Sequence, residues 1–322
     1  MRMPSPPCIF FIALALISAN APASPLSLDL EEHRLHILSG TQRIATYVWQ
    51  DEDLPRHYFE GLTTPDGDPV TRNHPTDPVA DKGNDDHPDF HPGAWLAFGD
   101  LGGADFWRNK ARVRHVRFAE APIADGSTAS FTVLNAYEQA GEGQRVVCEE
   151  TCTYTITSVP DGYLIALDST FRSTDASFAF GDQEEMGFGV RMATDLSVRH
   201  GGAMIRNSAG GELEAGTWGK NADWCAGYGK RNDRWVGINV MASQDNFRRS
   251  WFHSRDYGLL VANPFGKKAM TAPRDKTVPP DSTPVAKGGN LRLQFGLYVF
   301  SQPAAQEPDF GTMYQVYTEQ VK

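Results

Sequence analysis

Hydrophobic and polar residues alternate with a period of two along most of the chain. This alternation is typical of β-strands that bury one face of a sheet. At Ser39-Gly40 and at Pro160-Asp161-Gly162, turn-forming residues separate neighbouring alternating segments, which predicts two β-hairpins. The predicted strands cover residues 34–38, 44–49, 111–118, 130–137, 152–159, 163–171, 187–192, 235–241, 258–261 and 290–300.

Helical spacing of apolar residues occurs in the tail of the chain after Pro308, at Phe310, Met313, Tyr314 and Tyr317. Many strands and few helices predict an all-β fold, a large antiparallel β-sandwich with few short helices. No Ser/Gly-rich linker and no run of charge interrupts residues 24–322, so this range is expected to form a single domain.

The order of residues at the N-terminus is typical of a signal peptide. The positive charge of Arg2 precedes an apolar run over residues 8–19 and then small residues up to Ala23. About a dozen apolar residues are too few for a membrane span, which needs roughly 20. We therefore expect a signal peptide over residues 1–23 and a mature chain that is periplasmic or secreted; an uncleaved N-terminal anchor is the alternative.

Charge and cysteine content narrow the possible partners and cross-links. The formal net charge of -10 argues against nucleic acid and anionic membranes as partners and favours neutral ligands.

After removal of Cys8 with the signal peptide, Cys148, Cys152 and Cys225 remain. A step of four residues along a straight strand covers roughly 13 Å. A disulfide between Cys148 and Cys152 would therefore need a bulge or turn at Glu149-Glu150, and we assign no disulfide pairing.

The segment over residues 65–110 shows little periodicity and is rich in Pro, Asp, His, Gly and Trp. Long irregular loops inside compact domains are usually functional. If the middle of this loop is extended, His87, Asp89 and His91 alternate onto one face, where imidazole can act as a base, an acid or a metal ligand. Two alternatives stay open. Either the histidines hydrogen-bond the loop backbone, or the same three residues bind a metal, although their spacing matches no familiar metal motif.

A second segment, residues 251–258, mixes aromatic and charged side chains. Alternation along a strand puts His253, Arg255 and Tyr257 on one face and Ser254 and Asp256 on the other. A charge that points inward needs a partner. The alternative to a functional role is therefore an Arg255–Asp256 ion pair that closes the end of a sheet.

A third segment, residues 180–191, places Glu184 and Glu185 between glycine-rich flanks and before Arg191. One carboxylate could serve as a general acid or base, and the alternative is that both are solvated loop side chains. The tryptophans of the chain suit either stacking on sugar rings or core packing. The sequence contains neither a phosphate-binding glycine loop nor a serine nucleophile elbow, and no cofactor is predicted.

Taken together, residues 87–107, 180–191 and 251–266 resemble a bacterial family of unknown function labelled PmoA-like, and the resemblance covers nearly the whole mature chain. The most specific matches are Gly99-Asp100 with Asp105-Phe106-Trp107, the run from Gly187 to Arg191, and Arg255-Asp256-Tyr257-Gly258 with Asn263-Pro264-Phe265-Gly266. Many family members have consecutive histidines and an arginine in place of Asp89-Phe90-His91-Pro92, and a lysine in place of Glu184. The resemblance therefore supports Glu185 over Glu184 as a catalytic group.

The resemblance implies a supersandwich similar to that of galactose mutarotases and several polysaccharide lyases, with an open face for carbohydrate. Fold alone does not determine function. The family label refers to methane oxidation. Because the sequence shows no spanning helix and no copper-like ligand cluster, methane monooxygenase activity is not expected.

The leading hypothesis is an exported carbohydrate-active enzyme, a glycan hydrolase or lyase, that uses acid–base catalysis. The acid–base candidates are His87, His91, Glu185 and His253. The substrate-binding candidates are Trp95, Trp107, Arg191, Arg255, Asp256, Tyr257 and Asn263. A mutarotase- or epimerase-like enzyme and a non-catalytic sugar-binding protein are the alternatives. The proposed site requires the three segments to meet in space.

Overall fold

The computed structural model describes residues 24–141, 145–173 and 175–322. The expected signal peptide, residues 1–23, lies outside the described residues and stays a prediction. Within the described ranges, no helix is long and apolar enough to cross a membrane.

The strands and helices are numbered in chain order. The first strands are β1 Leu26–Glu31, β2 Arg34–Ser39, β3 Gln42–Val48, β4 Tyr58–Glu60, β5 Ala94–Phe98, β6 Arg112–Asp125, β7 Thr128–Glu138, β8 Val146–Val159 and β9 Gly162–Arg172. The later strands are β10 Phe178–Phe180, β11 Met186–Arg191, β12 Met204–Asn207, β13 Lys220–Asn221, β14 Trp224–Arg231, β15 Arg234–Ala242, β16 Trp251–Arg255, β17 Leu259–Asn263, β18 Thr283–Val285 and β19 Asn290–Pro303. The helices are α1 Val198–Gly201, α2 Leu213–Thr217, α3 Lys267–Thr271 and α4 Phe310–Gln320, with a short 3₁₀ turn at Thr194–Leu196.

Most strands belong to two large antiparallel sheets. One sheet has nine strands in the order β1-β2-β3-β4-β5-β11-β17-β16-β13, and the other has eight strands in the order β12-β14-β15-β19-β9-β8-β7-β6. A separate pair joins β10 and β18. Both predicted hairpins are present, as β2–β3 and β8–β9, and the predicted all-β antiparallel fold is confirmed.

The two sheets bury one continuous apolar core between them. Alternate side chains, such as Leu35 and Ile37 in the nine-stranded sheet and Phe131 and Val133 in the eight-stranded sheet, belong to the same buried cluster. Every second side chain of a strand points to the same face, so the period-two pattern of the sequence becomes this shared core.

The outer faces of the two sheets differ. Helix α4 packs against the eight-stranded sheet through Phe310, Met313 and Tyr317, as the helical spacing of the tail predicts. On the outer face of the nine-stranded sheet, Trp95 and Trp107 belong to a smaller apolar cluster. Loops with charged side chains cross this second face, which holds the candidate site.

Cys148, Cys152 and Cys225, the cysteines of the described residues, are buried free thiols. Cys148 and Cys152 both lie on β8. The length of a four-residue step along the strand keeps their sulfur atoms apart, as expected from the sequence.

Candidate functional site

Four neighbouring strands, β5, β11, β17 and β16, form the floor of the candidate site. Their register places Trp95, Gly189, Val261 and His253 in one row across the sheet. A Cβ atom at Gly189 would lie 3.1 Å from the Trp95 ring, so glycine at this position lets the indole lie close to the sheet. Trp107 packs edge-on against Trp95, with ring centroids 5.3 Å apart.

The loop that precedes β5 is a turn and not the extended segment expected from the sequence. The backbone N–H of His91 donates to the carbonyl of His87 at 3.2 Å, and His87 has a left-handed φ of 51°. Residues four apart in such a turn lie on the same side. The rings of His87 and His91 are therefore neighbours, with centroids 5.4 Å apart.

The turn also removes the basis for a metal site in this loop. Asp89 is exposed, and its carbonyl accepts a hydrogen bond from the Asn109 side chain. In the described part of the chain, no group of three or more His, Cys, Asp or Glu side chains is placed to hold a metal ion. The alternative of a metal bound by His87, Asp89 and His91 is thus not supported, because it needed the extended loop.

Arg191, at the end of β11, joins this loop to the sheet. Its fully buried guanidinium donates to Asp86 Oδ1 at 2.5 Å, to Asn84 Oδ1 at 2.6 Å and to His91 Nδ1 at 3.2 Å. The His91 ring stacks on Trp95 at 5.2 Å. Burial, together with the charge of Arg191, holds the pKa of His91 well below its usual range, so His91 is neutral.

A second buried arginine, Arg72, supports the same loop from below. Its guanidinium donates to the carbonyls of Asn84 and Asp86, both at 2.7 Å, and to that of His87 at 3.3 Å. Arg72 also lines a cavity of about 650 Å³, which includes Glu60 and lies beside the candidate site. The backbone of the loop is therefore fixed by one arginine and its side chains by another.

Tyr257 lies where the loop meets the end of β16. The guanidinium carbon of Arg191 is 4.2 Å from the centroid of the Tyr257 ring. Burial raises the pKa of Tyr257; the charges of Arg191 and Arg255 oppose this shift, and those of Asp86 and Glu214 add to it. The loop of His87 and the segment of His253 therefore converge at Tyr257, as the proposed site requires.

Arg255 organises the other side of Tyr257. It donates to His253 Nε2 at 3.0 Å, to Glu214 Oε1 at 2.8 Å and to Glu184 Oε2 at 3.3 Å. The Trp218 ring lies 5.6 Å from its guanidinium carbon. One arginine thus holds two carboxylates beside an aromatic ring.

The Arg255–Asp256 ion pair considered from the sequence does not form. Asp256 instead accepts a hydrogen bond from the backbone N–H of Glu214 at 2.9 Å, and its own N–H donates to Glu214 Oε2 at 3.1 Å. These reciprocal bonds attach helix α2 to the end of β16. The physical reason is that Arg255 lies on the strand face, whereas Asp256 lies in the turn that follows the strand.

His253 is buried, and both of its ring nitrogens are engaged. Because an arginine can only donate, Nε2 accepts from Arg255, and Nδ1 carries the proton and donates to the carbonyl of Glu184 at 3.0 Å. Burial and the charge of Arg255 lower the pKa of His253 to about 4. His253 therefore holds its neighbours in place and is neutral near neutral pH.

Glu184 and Glu185 point to different partners. The Glu184 carboxylate faces Arg255 and is 41% exposed. Glu185 forms an ion pair with Arg108, which also contacts Asp105 at 3.2 Å, and it is 28% exposed. The structure thus brings Glu184, and not the favoured Glu185, to the group around Arg255.

The site residues predicted from the sequence fall into two groups, one accessible to solvent and one buried. His87, Glu185, Arg255, Asp256 and Tyr257 are at least partly accessible. Those that are buried are Trp95, Trp107, His91, Arg191, His253 and Asn263. With 1% and 0% of their surfaces exposed, Trp95 and Trp107 do not offer a stacking platform, which corrects the expectation for them. They pack under the His87 loop instead.

Two carboxylates of the site, Asp86 and Glu214, are not among the site residues predicted from the sequence. Asp86 had one signal, its place beside His87, and Glu214 lies in the short helix α2 with no motif around it. Asp86 forms an ion pair with Arg191, and Glu214 forms one with Arg255. These contacts join residues far apart in the sequence and bring both carboxylates near Tyr257.

Residues 34–308 match the sequence profile of DUF6807, a family of unknown function. The chain belongs to this family. The DUF6807 match covers all three segments that build the site, and it does not carry the PmoA-like label, which stays a resemblance. A comparison with curated proteins found no match for this DUF6807 member.

Solved structures similar to this DUF6807 member include galactose mutarotase-like proteins. The protein from Lactobacillus casei is 11% identical, with 86% of this chain and 100% of that chain covered and a TM-score of 0.31. The protein from Clostridium acetobutylicum is 8% identical, with 87% and 99% covered and a TM-score of 0.31. A galactose mutarotase related enzyme from Lactobacillus acidophilus is 10% identical, with 88% and 100% covered and a TM-score of 0.26. These scores are too low to support an inference about the site.

Proposed function

We propose that this DUF6807 protein is an exported carbohydrate-active enzyme that binds a glycan on the outer face of the nine-stranded sheet and cleaves it by proton transfer at Tyr257. The observation that carries the proposal is the position of Tyr257, which lies on Arg191 and within electrostatic range of Arg255, Asp86 and Glu214. Arginine–carboxylate pairs next to aromatic rings offer hydrogen bonds to sugar hydroxyls and apolar faces to sugar rings.

The pKa values of the central groups are pushed in opposite directions. Burial raises the pKa of Tyr257, so its phenol stays protonated near neutral pH. Burial also acts to raise the pKa of Glu214, but hydrogen bonds from Arg255 and from the Asp256 N–H outweigh it, and the pKa is lowered. The pKa of Asp86 is lowered in the same way, against its burial, by Arg191. Near neutral pH, Tyr257 is therefore the group that carries a proton to donate and Glu214 the group that can accept one.

The proposed reaction uses these two states. The Tyr257 hydroxyl gives its proton to the glycosidic oxygen as the bond from that oxygen to the anomeric carbon breaks. Glu214 accepts a proton from the water that attacks the anomeric carbon. His91 and His253 are positioning residues in this scheme, while the exposed His87 stays a candidate for a second proton transfer.

The test is a screen of plant and algal polysaccharide digests by mass spectrometry with the wild type, Tyr257→Phe and Glu214→Gln. We expect product from the wild type and a loss of roughly 10²-fold or more in each variant, since each removes a proton-transfer group. Glu212→Gln is the matched control, because Glu212 is an exposed carboxylate at the start of the same helix. Undiminished turnover in both variants would refute the assignment. Product analysis separates hydrolysis from elimination and from a mutarotase- or epimerase-like reaction.

A second candidate function, sugar binding without catalysis, is favoured by one observation. The donors of Arg255 are already engaged, because its guanidinium contacts Glu184, Glu214 and the neutral His253. In the same screen, this function predicts glycan binding without product by the wild type and by both variants.

A further inference from the structure

The accessible charge of the proposed site is unequal. Three carboxylates are part-exposed, Asp86 at 43%, Glu184 at 41% and Glu214 at 31%. Among the arginines, Arg255 is 28% exposed and Arg199, 5.6 Å from the Tyr257 ring, is exposed, whereas Arg191 is fully buried. A ligand that enters this face therefore meets three accessible carboxylates and two accessible arginines.

The backbone at Glu184 is held in place by two buried side chains. Asn263 donates to the carbonyls of Gln183 at 2.7 Å and of Glu184 at 3.1 Å, and His253 donates to the Glu184 carbonyl at 3.0 Å. Asn263 is 0% and His253 4% exposed. These bonds use only main-chain oxygens of the segment. They fix the backbone from which the Glu184 side chain extends toward Arg255.

Arg255 does not need Glu184 as a counter-charge. Glu214 is already bound at 2.8 Å, which is closer than the 3.3 Å of Glu184, and the Asp256 N–H fixes the other oxygen of Glu214. With both carboxylates ionised, the group of Arg255, Glu184 and Glu214 has one negative charge in excess. Glu184 supplies that excess at an accessible position.

We propose that Glu184 is a specificity-determining residue that makes this site select neutral or amino sugars and reject acidic sugars. This inference rests on the proposed carbohydrate function. A uronate or sulfate group would lie beside three carboxylates, and Arg255 is already bound to two of them, Glu184 and Glu214. Like charges brought together at a binding site oppose association. An ammonium or hydroxyl group on the sugar instead finds an acceptor in Glu184.

The experiment measures affinity by calorimetry for neutral, glucosamine-containing and uronic-acid-containing oligosaccharides of equal length, with the wild type, Glu184→Gln and Glu184→Lys. We expect the wild type to bind the acidic set at least about 10-fold more weakly than the neutral set. Glu184→Lys should strengthen acidic binding about 10-fold and weaken amino-sugar binding by a similar factor, with Glu184→Gln between them. These differences should shrink at high ionic strength. Glu212→Lys makes the same change of charge at the exposed residue that precedes helix α2, and it should change none of the three affinities by more than about 3-fold.

The outcomes separate the two proposals. Glycan binding by the wild type, with the same charge preference in Glu184→Gln and Glu184→Lys, would overturn the role of Glu184 and leave the carbohydrate function intact. If no oligosaccharide of any charge binds the wild type, both proposals fail. Should the lysine variant not fold, as judged by circular dichroism, the glutamine variant alone must still shift the preference toward acidic sugars, or the inference is wrong.

Discussion

Two clusters of polar side chains, each with a tyrosine and at least one carboxylate, lie on opposite sides of the nine-stranded sheet. The outer cluster comprises Asp86, Arg191, Glu214, Arg255 and Tyr257. The core cluster, between the two sheets, comprises His57, Asn135, Tyr137, Glu150 and Ser169. In the outer cluster, arginines lower the pKa values of Asp86 and Glu214 although burial opposes this. In the core cluster, burial raises the pKa of Glu150 although hydrogen bonds from Ser169, Asn135 and Tyr137 oppose it.

The comparison shows what separates a charged site from a polar core. Glu150 is 0% exposed, and its nearest basic group is His57 at 3.9 Å, whose pKa burial lowers to about 3. Neither group of this pair gains a strong partner for its charged form, so both are favoured as neutral species. The outer cluster keeps its charges because each carboxylate contacts an arginine. A catalytic or binding site needs ionised side chains that a ligand can reach, and the outer cluster supplies them. The groups of the core cluster are buried and neutral.

The largest effect should follow from breaking the outer cluster at its buried arginine. Arg191→Met removes the partner of Asp86, Asn84 and His91 and leaves their polar atoms without it. Asp86 is 43% exposed and can be solvated, but each buried acceptor that loses its donor, on Asn84 and on His91, costs about 1–3 kcal/mol of unfolding free energy. Urea unfolding measures this loss. Arg199→Met is the control, because Arg199 is exposed and also approaches the Tyr257 ring, at 5.6 Å. A loss below about 1 kcal/mol in Arg191→Met would mean that the outer cluster is not held by its arginines.

A smaller effect, with a defined pH dependence, should follow from Glu150→Gln in the core. The folded-state pKa of Glu150 is raised, so the wild type is favoured while this carboxyl is protonated and loses stability as the pH rises above its unfolded pKa. The loss is up to about 1.4 kcal/mol per pH unit until the folded pKa is reached. Glutamine does not titrate. The stability of the variant relative to the wild type should therefore increase as the pH rises from 4.5 to 8.

The measurement compares unfolding free energies of the two proteins across that pH range. His57 titrates in both, so its own contribution largely cancels in the difference. Glu149→Gln is the matched control, since Glu149 is exposed on the same strand and should leave the difference nearly independent of pH. A pH-independent difference for Glu150→Gln would show that Glu150 is ionised in the core, contrary to the comparison.

The strands that could be predicted from the sequence are those with one buried and one polar face. Strand β8 alternates between buried and more exposed residues, and its existence and its hairpin with β9 follow from that pattern and the turn residues between them. β5 was missed because all five of its residues are buried, so Ala94–Phe98 shows no alternation. Its outer face is covered by Trp107, which arrives from a loop, and such a contact leaves no periodic signal in the sequence.

The site could be predicted where a regular strand carries it. Alternation along β16 correctly placed His253 and Arg255 on the same face, since the strand is regular. The partners of Arg255 could not be predicted, because Glu184 and Glu214 reach it from segments 71 and 41 residues away. The turn at His87 could not be predicted, because the left-handed φ of His87 that forms it is uncommon for a residue other than glycine.

His87→Gly should have the smallest effect on the free energy of unfolding. It should also separate stability from function most clearly, because turnover or glycan affinity can fall while stability stays nearly unchanged. A side chain at φ 51° is strained, and glycine relieves this strain while it adds entropy to the unfolded chain, so the two contributions nearly cancel to within about 1 kcal/mol. The accessible imidazole beside Asp86 is lost, so turnover or glycan affinity should fall about 10-fold or more if His87 takes part in proton transfer. His33→Gly is a close control: His33 also has a left-handed φ, 66°, and a part-exposed ring, but it lies in the β1–β2 turn. Equal stability changes with a functional loss confined to His87→Gly would place His87 in the site, whereas equal function in both variants would leave it a loop residue.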